Sequence, residues 1–247
     1  MQARLRGKAA LVTGGSRGIG AAIAVRLARE GASVAFTYYA SPEKAEAVAR
    51  SIEATGGVCL PICADSGDPE AVAGAVAATA EAFGRLDILV NNAGLGAPAT
   101  IDQMSLEDFD RCFAVNVRSV FVAIRAAAPL LPKGGRIITI GSVNGDRTPF
   151  QGGAAYAASK AAVAGLTRGA ARDLGARGVT VNVVQPGPVD TDMNPADGPW
   201  APAALAQLAT GAFGAPTDVA ALVAFLASEE AGFITGASLN IDGGYMA

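Results

Sequence analysis

Apolar runs too short for helices recur along the chain, and longer stretches with helical spacing separate most of them. Lys8-Ala-Ala-Leu-Val-Thr13 is a short apolar run with a β-branched end, followed at once by glycines, and reads as a buried strand. Strand-like runs follow at Ser33–Tyr38, Val58–Ile62, Asp87–Asn91, Arg136–Gly141, Val179–Val184 and Ser238–Ile241. Between the first two, Ala21 to Arg29 carries Ile23 and Leu27 at helical spacing and stops at Gly31. Ser41-Pro42-Glu43 predicts a helix start, with a capping hydroxyl, then proline, then an acid, and Gly56-Gly57 ends that helix. Asp68-Pro69-Glu70 repeats the start signal. This alternation predicts an α/β fold, a parallel sheet with helices on both faces. The least regular stretch is Pro186–Gly214, with prolines at 186, 188, 195, 199 and 202. It predicts a loop with a short helix over the mouth of a site.

Length and composition narrow the classes. The 247 residues suit one α/β domain spanning 1–247, and 51% hydrophobic content is ample for a large core. Net charge is −3 with no basic block, so no nucleic-acid footprint is expected. Cys59, Cys63 and Cys112 include no C-x-x-C pair and read as small buried apolar residues, with no metal site. Residues 1–7 are basic but lack the apolar core of a signal peptide, and no apolar run is long enough to span a bilayer. A cytoplasmic protein is the expectation.

The chain contains no histidine. Ser-His-Asp hydrolysis and His-ligated metals are thereby excluded, so proton chemistry must use other groups. Tyr156 and Lys160 stand four apart in a helical stretch and share a face. A free phenol has a pKa of about 10 and is a poor acid at neutral pH. A neighbouring lysine cation is expected to lower it. Taken alone, such a pair is better read as an amphipathic surface feature.

What precedes the pair changes the reading. Gly14-Gly15-Ser16-Arg17-Gly18-Ile19-Gly20 connects the first strand to the first helix. Glycines there permit a sharp turn and close backbone approach to a pyrophosphate. The helix N-terminus offers N–H groups and the positive dipole end to phosphates. The arrangement predicts dinucleotide binding.

Thr13-Gly14-x-x-x-Gly18-x-Gly20, Asn91-Asn92-Ala93-Gly94, Asn116, Ser142 and Tyr156-x-x-x-Lys160 occur in that order. Over essentially the whole chain this set resembles the short-chain dehydrogenase/reductase family. The resemblance implies a single-domain Rossmann fold, a doubly wound seven-stranded parallel sheet of order 3-2-1-4-5-6-7. It implies hydride transfer to a carbonyl, with Ser142 and Tyr156 on the carbonyl oxygen and Lys160 tuning Tyr156 and bonding the nicotinamide ribose. Asn116 matches a helix-interior residue holding a water that links Lys160 to solvent. Asn92, Ala93 and Gly94 would line the adenosine side and steady the sheet. Asp65, followed by Ser66, sits where the family contacts adenine, although a plain turn acid reads equally well. Pro186, Gly187, Val189 and Thr191 match the segment that holds the nicotinamide carboxamide.

Enzymes using the unphosphorylated cofactor usually place an acid at the end of the second strand. Here Tyr38-Tyr39-Ala40-Ser41 has none before Glu43. Arg17 is placed to pair with a 2′-phosphate, and the hydroxyls of Tyr38, Tyr39 and Ser41 stand in for a missing second basic residue. NADP(H) is therefore expected over NAD(H). Residues 188–214 form the expected substrate lid. Val143, Asn144, Pro149, Phe150, Met193, Trp200, Leu205 and Leu208 are the expected mouth, joining Ser142 and Tyr156 at the substrate. From Val189 to Phe213 there is no Lys or Arg, while Asp190, Asp192 and Asp197 are present. That favours an apolar ketone, with a 3-oxoacyl-carrier-protein thioester as the alternative, although the general pattern is similar to reductases of that thioester. Ala154–Leu174 and Val115–Leu131 are apolar around most of their circumference and need partners on two sides. The family pairs these helices, so a homotetramer is expected, and the C-terminus is placed to reach a neighbouring subunit. Ser142-Val-Asn-Gly-Asp-Arg147 and Gln185-Pro-Gly-Pro188 are also similar to segments of non-catalytic nucleotide-binding relatives, which leaves a regulator as the other class of answer.

Overall fold

The computed structural model describes residues 3–247. Its seven strands are β1 (Ala9–Val12), β2 (Ser33–Tyr38), β3 (Cys59–Cys63), β4 (Ile88–Asn91), β5 (Arg136–Ile140), β6 (Thr180–Pro186) and β7 (Ser238–Ile241). They form one parallel sheet of order 3-2-1-4-5-6-7, as the resemblance implied. The helices are α1 (Gly18–Arg29), α2 (Pro42–Glu53), α3 (Pro69–Phe83), α4 (Leu106–Phe113), α5 (Ser119–Ala127), α6 (Ala154–Gly175), α7 (Ala201–Leu205) and α8 (Pro216–Ala227).

Successive strand residues point to opposite faces, so each central strand feeds two cores. Val12, Val90 and Ile138 meet Ile23 and Leu27 of α1, Ile52 of α2, and Val219 and Val223 of α8. Leu11, Leu89 and Ile137 meet Val72 and Val76 of α3, Val120 and Ile124 of α5, and Val163 and Leu174 of α6. Burial on both faces explains why the inner strands read as unbroken apolar runs. Each large side chain so buried contributes about 2 kcal/mol. β3 lies at an edge, where Pro61 removes no needed ladder donor.

Asp68 caps α3, accepting the Glu70 N–H at 2.9 Å, and Gly84 ends it in the left-handed region with φ 68. Ser41 occupies the cap position of α2, but its hydroxyl makes no capping bond, contrary to expectation. Of the cysteines, Cys112 is buried as expected, while Cys59 is half-buried and Cys63 exposed, contrary to expectation. Among the described residues no cluster of His, Cys, Asp or Glu is suited to a metal, and no helix is long and apolar enough to cross a membrane.

β1 pairs with β2 on one side and β4 on the other. The winding direction reverses there, and the helices that follow these strands diverge to opposite faces. A crevice opens at the carboxyl ends, the usual ligand position in such sheets.

Candidate active site

The floor of the crevice is the turn between β1 and α1. Gly14 has φ 67, and its N–H donates to Thr37 Oγ1 at 2.9 Å. A Cβ on Gly20 would lie 2.2 Å from the Gly14 carbonyl oxygen and 2.4 Å from Asn92 Nδ2. Only glycine fits. Arg17 precedes α1 without making a side-chain cap on the first turn around Gly18, Ile19 and Gly20. Ser16 is half-buried beside it. Asn92 Nδ2 donates to the carbonyls of Thr13 and Gly14, both at 2.9 Å, while Thr13 Oγ1 accepts the N–H groups of Asn92 and Ala93 at 3.0 Å. The ends of β1 and β4 are thus laced together, as expected of the Asn91–Gly94 segment.

Ser142 follows β5 and opens a single 3₁₀ turn, Val143–Gly145. Its Oγ accepts the Asn144 N–H at 3.1 Å, and its own N–H donates to Gln185 Oε1 at 2.7 Å. Gln185 lies on β6 and is fully buried. A Cβ on Gly141 would stand 2.0 Å from that amide oxygen, so the glycine makes room for the contact. Sequence reasoning missed Gln185.

Tyr156 and Lys160 lie one turn apart on α6, with Lys160 Nζ 5.6 Å from the centre of the Tyr156 ring. Lys160 is buried and donates to the Ile140 carbonyl at 2.9 Å. Burial pulls its pKa down from 10.5 to about 8, opposed by the neighbouring Cys112. The expected lowering of the Tyr156 pKa does not occur in this structure. Burial pushes the phenol up, more than the hydrogen bond with Ser142 pulls it down, and Cys112 adds to the rise. The lysine cation is turned toward Ile140, so desolvation dominates.

Asn116 sits in a π-helical segment, Ala114–Arg118, between α4 and α5. Its Oδ1 accepts the Leu95 N–H at 2.9 Å, and Nδ2 donates to the Leu95 carbonyl and Ser159 Oγ, each at 3.0 Å. The side chain therefore fastens the segment after β4 to α6. A Cβ on Gly94 would lie 3.4 Å from Asn116 Oδ1 and 3.5 Å from Lys160 Nζ, which shows how closely the three approach.

At the adenosine end, Asp65 accepts from the Gly67 N–H at 2.7 Å and from Arg111 at 2.9 Å. Burial alone would raise its pKa, but these two donors hold it below the usual carboxylate value. Ser66 is half-buried beside it. Tyr38 and Ser41 are half-buried and Tyr39 exposed at the end of β2. Lys44, in the first turn of α2, completes this region and was missed. Its position just past the end of β2 was the available signal. Arg17 and Lys44 both face Asp192.

β6 delivers Pro186 and Gly187, and Val189 pairs with Gly214 in an isolated bridge. Thr191 overhangs the turn, its methyl 3.4 Å from where a Gly18 Cβ would be. Phe150, Met193 and Trp200 are exposed around the opening and Asn144 is half-buried. Leu205 and Leu208, expected at the mouth, instead pack in a small cluster with Val143, Phe213, Tyr245 and Met246. The C-terminus thus folds back onto the Val143–Gly145 turn, and Arg147 Nη1 donates to the Tyr245 carbonyl at 2.9 Å.

A family profile described as enoyl-(acyl carrier protein) reductase matches residues 14–246. A solved short-chain dehydrogenase from Burkholderia cenocepacia, in complex with NADP, is 56% identical, with a TM-score of 0.98, covering 99% of this chain and 100% of that one. The chain belongs to the short-chain dehydrogenase/reductase family. Among its curated relatives, a cyclic-di-GMP-binding biofilm dispersal mediator protein of Escherichia coli is 48% identical, covering 97% of each chain. A 3-oxoacyl-acyl-carrier-protein reductase of Staphylococcus aureus is 43% identical, covering 96% of this chain and 97% of that protein.

Proposed function

We propose that the protein reduces a ketone to an alcohol with NADPH. The observation that carries this reading is the convergence of Ser142, Tyr156 and Lys160 at one end of a crevice floored by the Gly14–Gly20 turn. The residues present fit a dinucleotide: the turn admits no Cβ at Gly20, the first turn of α1 carries no side-chain cap, and two cations gather at the far end. Gly14, Ser16, Gly18, Ile19 and Gly20 would hold the pyrophosphate. Asp65, Ser66, Asn92, Ala93 and Gly94 would border the adenosine, and Pro186, Gly187, Val189 and Thr191 the nicotinamide. When bound, the reduced cofactor supplies a hydride to the carbonyl carbon.

The chain supplies the rest. Ser142 and Tyr156 hydrogen-bond the carbonyl oxygen, where negative charge develops. Tyr156 then gives that oxygen its phenolic proton. The phenol is protonated at neutral pH, as a general acid in the reductive direction requires, although its raised pKa makes it a weaker donor. Lys160 holds a proton behind the ring, and Asn116 fastens Leu95 to Ser159 of α6 beside it. Asn144, Phe150, Met193 and Trp200 would contact the substrate, with 188–214 acting as a lid. Asp190, Asp192 and Asp197 in that lid disfavour an acidic carrier, so a small or medium apolar ketone is preferred to an acyl-carrier thioester. The thioester reading is supported by the Staphylococcus aureus relative.

The test follows nicotinamide absorbance with an acetoacetyl thioester and a panel of aryl and aliphatic ketones. Turnover with NADPH at higher kcat/KM than with NADH supports the reading, and equal or better use of NADH contradicts the cofactor preference. The Escherichia coli relative supports a nucleotide-binding regulator as the second reading. Tight NADPH binding without turnover on any substrate would favour it. A homotetramer is also proposed, because Phe121 on α5 and the small residues Ala154, Ala158, Ala161 and Gly165 on α6 leave apolar faces open. Light scattering giving a monomeric mass would contradict it.

A further inference from the structure

Three charged side chains from three separate segments meet at the adenosine end of the crevice. Lys44 Nζ donates to Asp192 Oδ2, and Arg17 Nη1 lies 4.0 Å from the same oxygen. Arg17 comes from the turn after β1, Lys44 from the start of α2, and Asp192 from the segment after β6. Each side chain is more than half exposed. The neighbouring lid carboxylate, Asp190, is engaged elsewhere, accepting the Ala196 N–H at 3.0 Å. Asp192 is therefore free to leave the cations without dismantling that loop.

Two cations on one carboxylate form an anion site already filled from within. It stands past the end of β2, where dinucleotide folds recognise the adenosine ribose, and where this chain has no acid to receive a 2′-hydroxyl. Exposed ion pairs of this kind are weak and exchange readily. A phosphate monoester carries nearly twice the charge of a carboxylate and offers three acceptor oxygens. It is the stronger partner for an arginine and a lysine together.

We propose that Asp192 is an internal anion seated on the Arg17–Lys44 pair, which the 2′-phosphate of NADPH displaces. Cofactor loading then unhooks the lid from α2 and α1. Asp192 also sets the discrimination between cofactors, because only a ligand with the extra phosphate overcomes it. The inference rests on the dinucleotide reading above and adds Lys44 and Asp192 to it.

Trp200, the chain's single tryptophan, lies in the same lid and is exposed, so its emission reports lid position. The probes are 2′-phospho-ADP-ribose and ADP-ribose, which differ only in the phosphate and carry no nicotinamide to absorb the emission. Binding is measured by calorimetry and emission on the full chain. The wild type is expected to prefer the phosphorylated probe by about tenfold or more. Lys44→Met removes about tenfold of that affinity and leaves ADP-ribose unchanged. Asp192→Asn tightens the phosphorylated probe by about threefold, and its free-state emission matches that of the loaded wild type. Equal effects on both probes in Lys44→Met, or no gain in Asp192→Asn, would overturn the exchange. A wild type that binds neither probe nor NADPH would overturn the dinucleotide reading with it. Tight NADPH binding with both variants unaltered would overturn this inference alone.

Discussion

Replacing Lys160 with methionine should stabilise the protein at neutral pH while removing a group the proposed chemistry needs. The lysine is 5% exposed, and burial holds its pKa near 8 instead of 10.5. The unfolded chain keeps this proton up to about pH 10.4, so folding releases it between about pH 8 and pH 10. More protons are bound by the unfolded state across that window, and stability therefore rises with pH there. Below pH 8 the folded protein carries the whole penalty. A displacement from 10.5 to about 8 corresponds to roughly 3 kcal/mol. Methionine carries no charge, but it forfeits the 2.9 Å bond to Ile140, which returns about 1 kcal/mol. A net gain of about 2 kcal/mol at neutral pH is expected, shrinking to near zero by about pH 10. Urea denaturation of both proteins across this range measures it, with m unchanged. A variant less stable than wild type at neutral pH, or a difference independent of pH, would refute the reasoning.

Gln185→Leu leaves the buried Ser142 N–H without its acceptor, so a loss of about 2 kcal/mol is expected in urea, with kcat reduced about tenfold. A stability change within about 0.5 kcal/mol would show that the bond contributes little. Gly20→Ala forces a Cβ against Gly14 and Asn92, so calorimetry should find dinucleotide affinity lowered at least tenfold and urea a loss of about 3 kcal/mol. Glu30 is 2% exposed and ion-paired with Arg4 and Arg26 at 2.8 and 2.6 Å, so Glu30→Ala should cost about 3 kcal/mol. Burial alone would raise the Glu30 pKa, but the arginines bring it below the usual value. Its stabilisation is therefore present above the unfolded carboxylate pKa and lost as pH falls through the lowered one. Thermal unfolding in acid should show wild type and variant converging.

The central strands were legible because Leu11 and Val12, or Ile137 and Ile138, are each buried on opposite faces and leave continuous apolar runs. The half-exposed edges gave weaker signals, and the strand order came from the family resemblance. The π-helical segment around Asn116 was not legible, since its residues keep an ordinary helical pattern. The irregularity coincides with contacts to Leu95 and Ser159, both distant in sequence. Gln185 looked like a polar residue inside a strand, with nothing to announce a partner on the neighbouring strand's exit. Lys44 was missed because only the folded chain brings the segment after β6, with Asp192, to it. The direction of the Tyr156 shift depends on how deeply α6 sinks against the sheet, which spacing alone does not encode.

The most direct test of the account is the fate of a labelled hydride. Wild type and Tyr156→Phe would be incubated with an activated ketone and NADPH deuterated at the transferring carbon, and the product examined by mass spectrometry. The account predicts deuterium on the carbinol carbon with wild type and a loss of turnover by about a thousandfold without the phenol. Unlabelled alcohol, or full turnover by Tyr156→Phe, would contradict it.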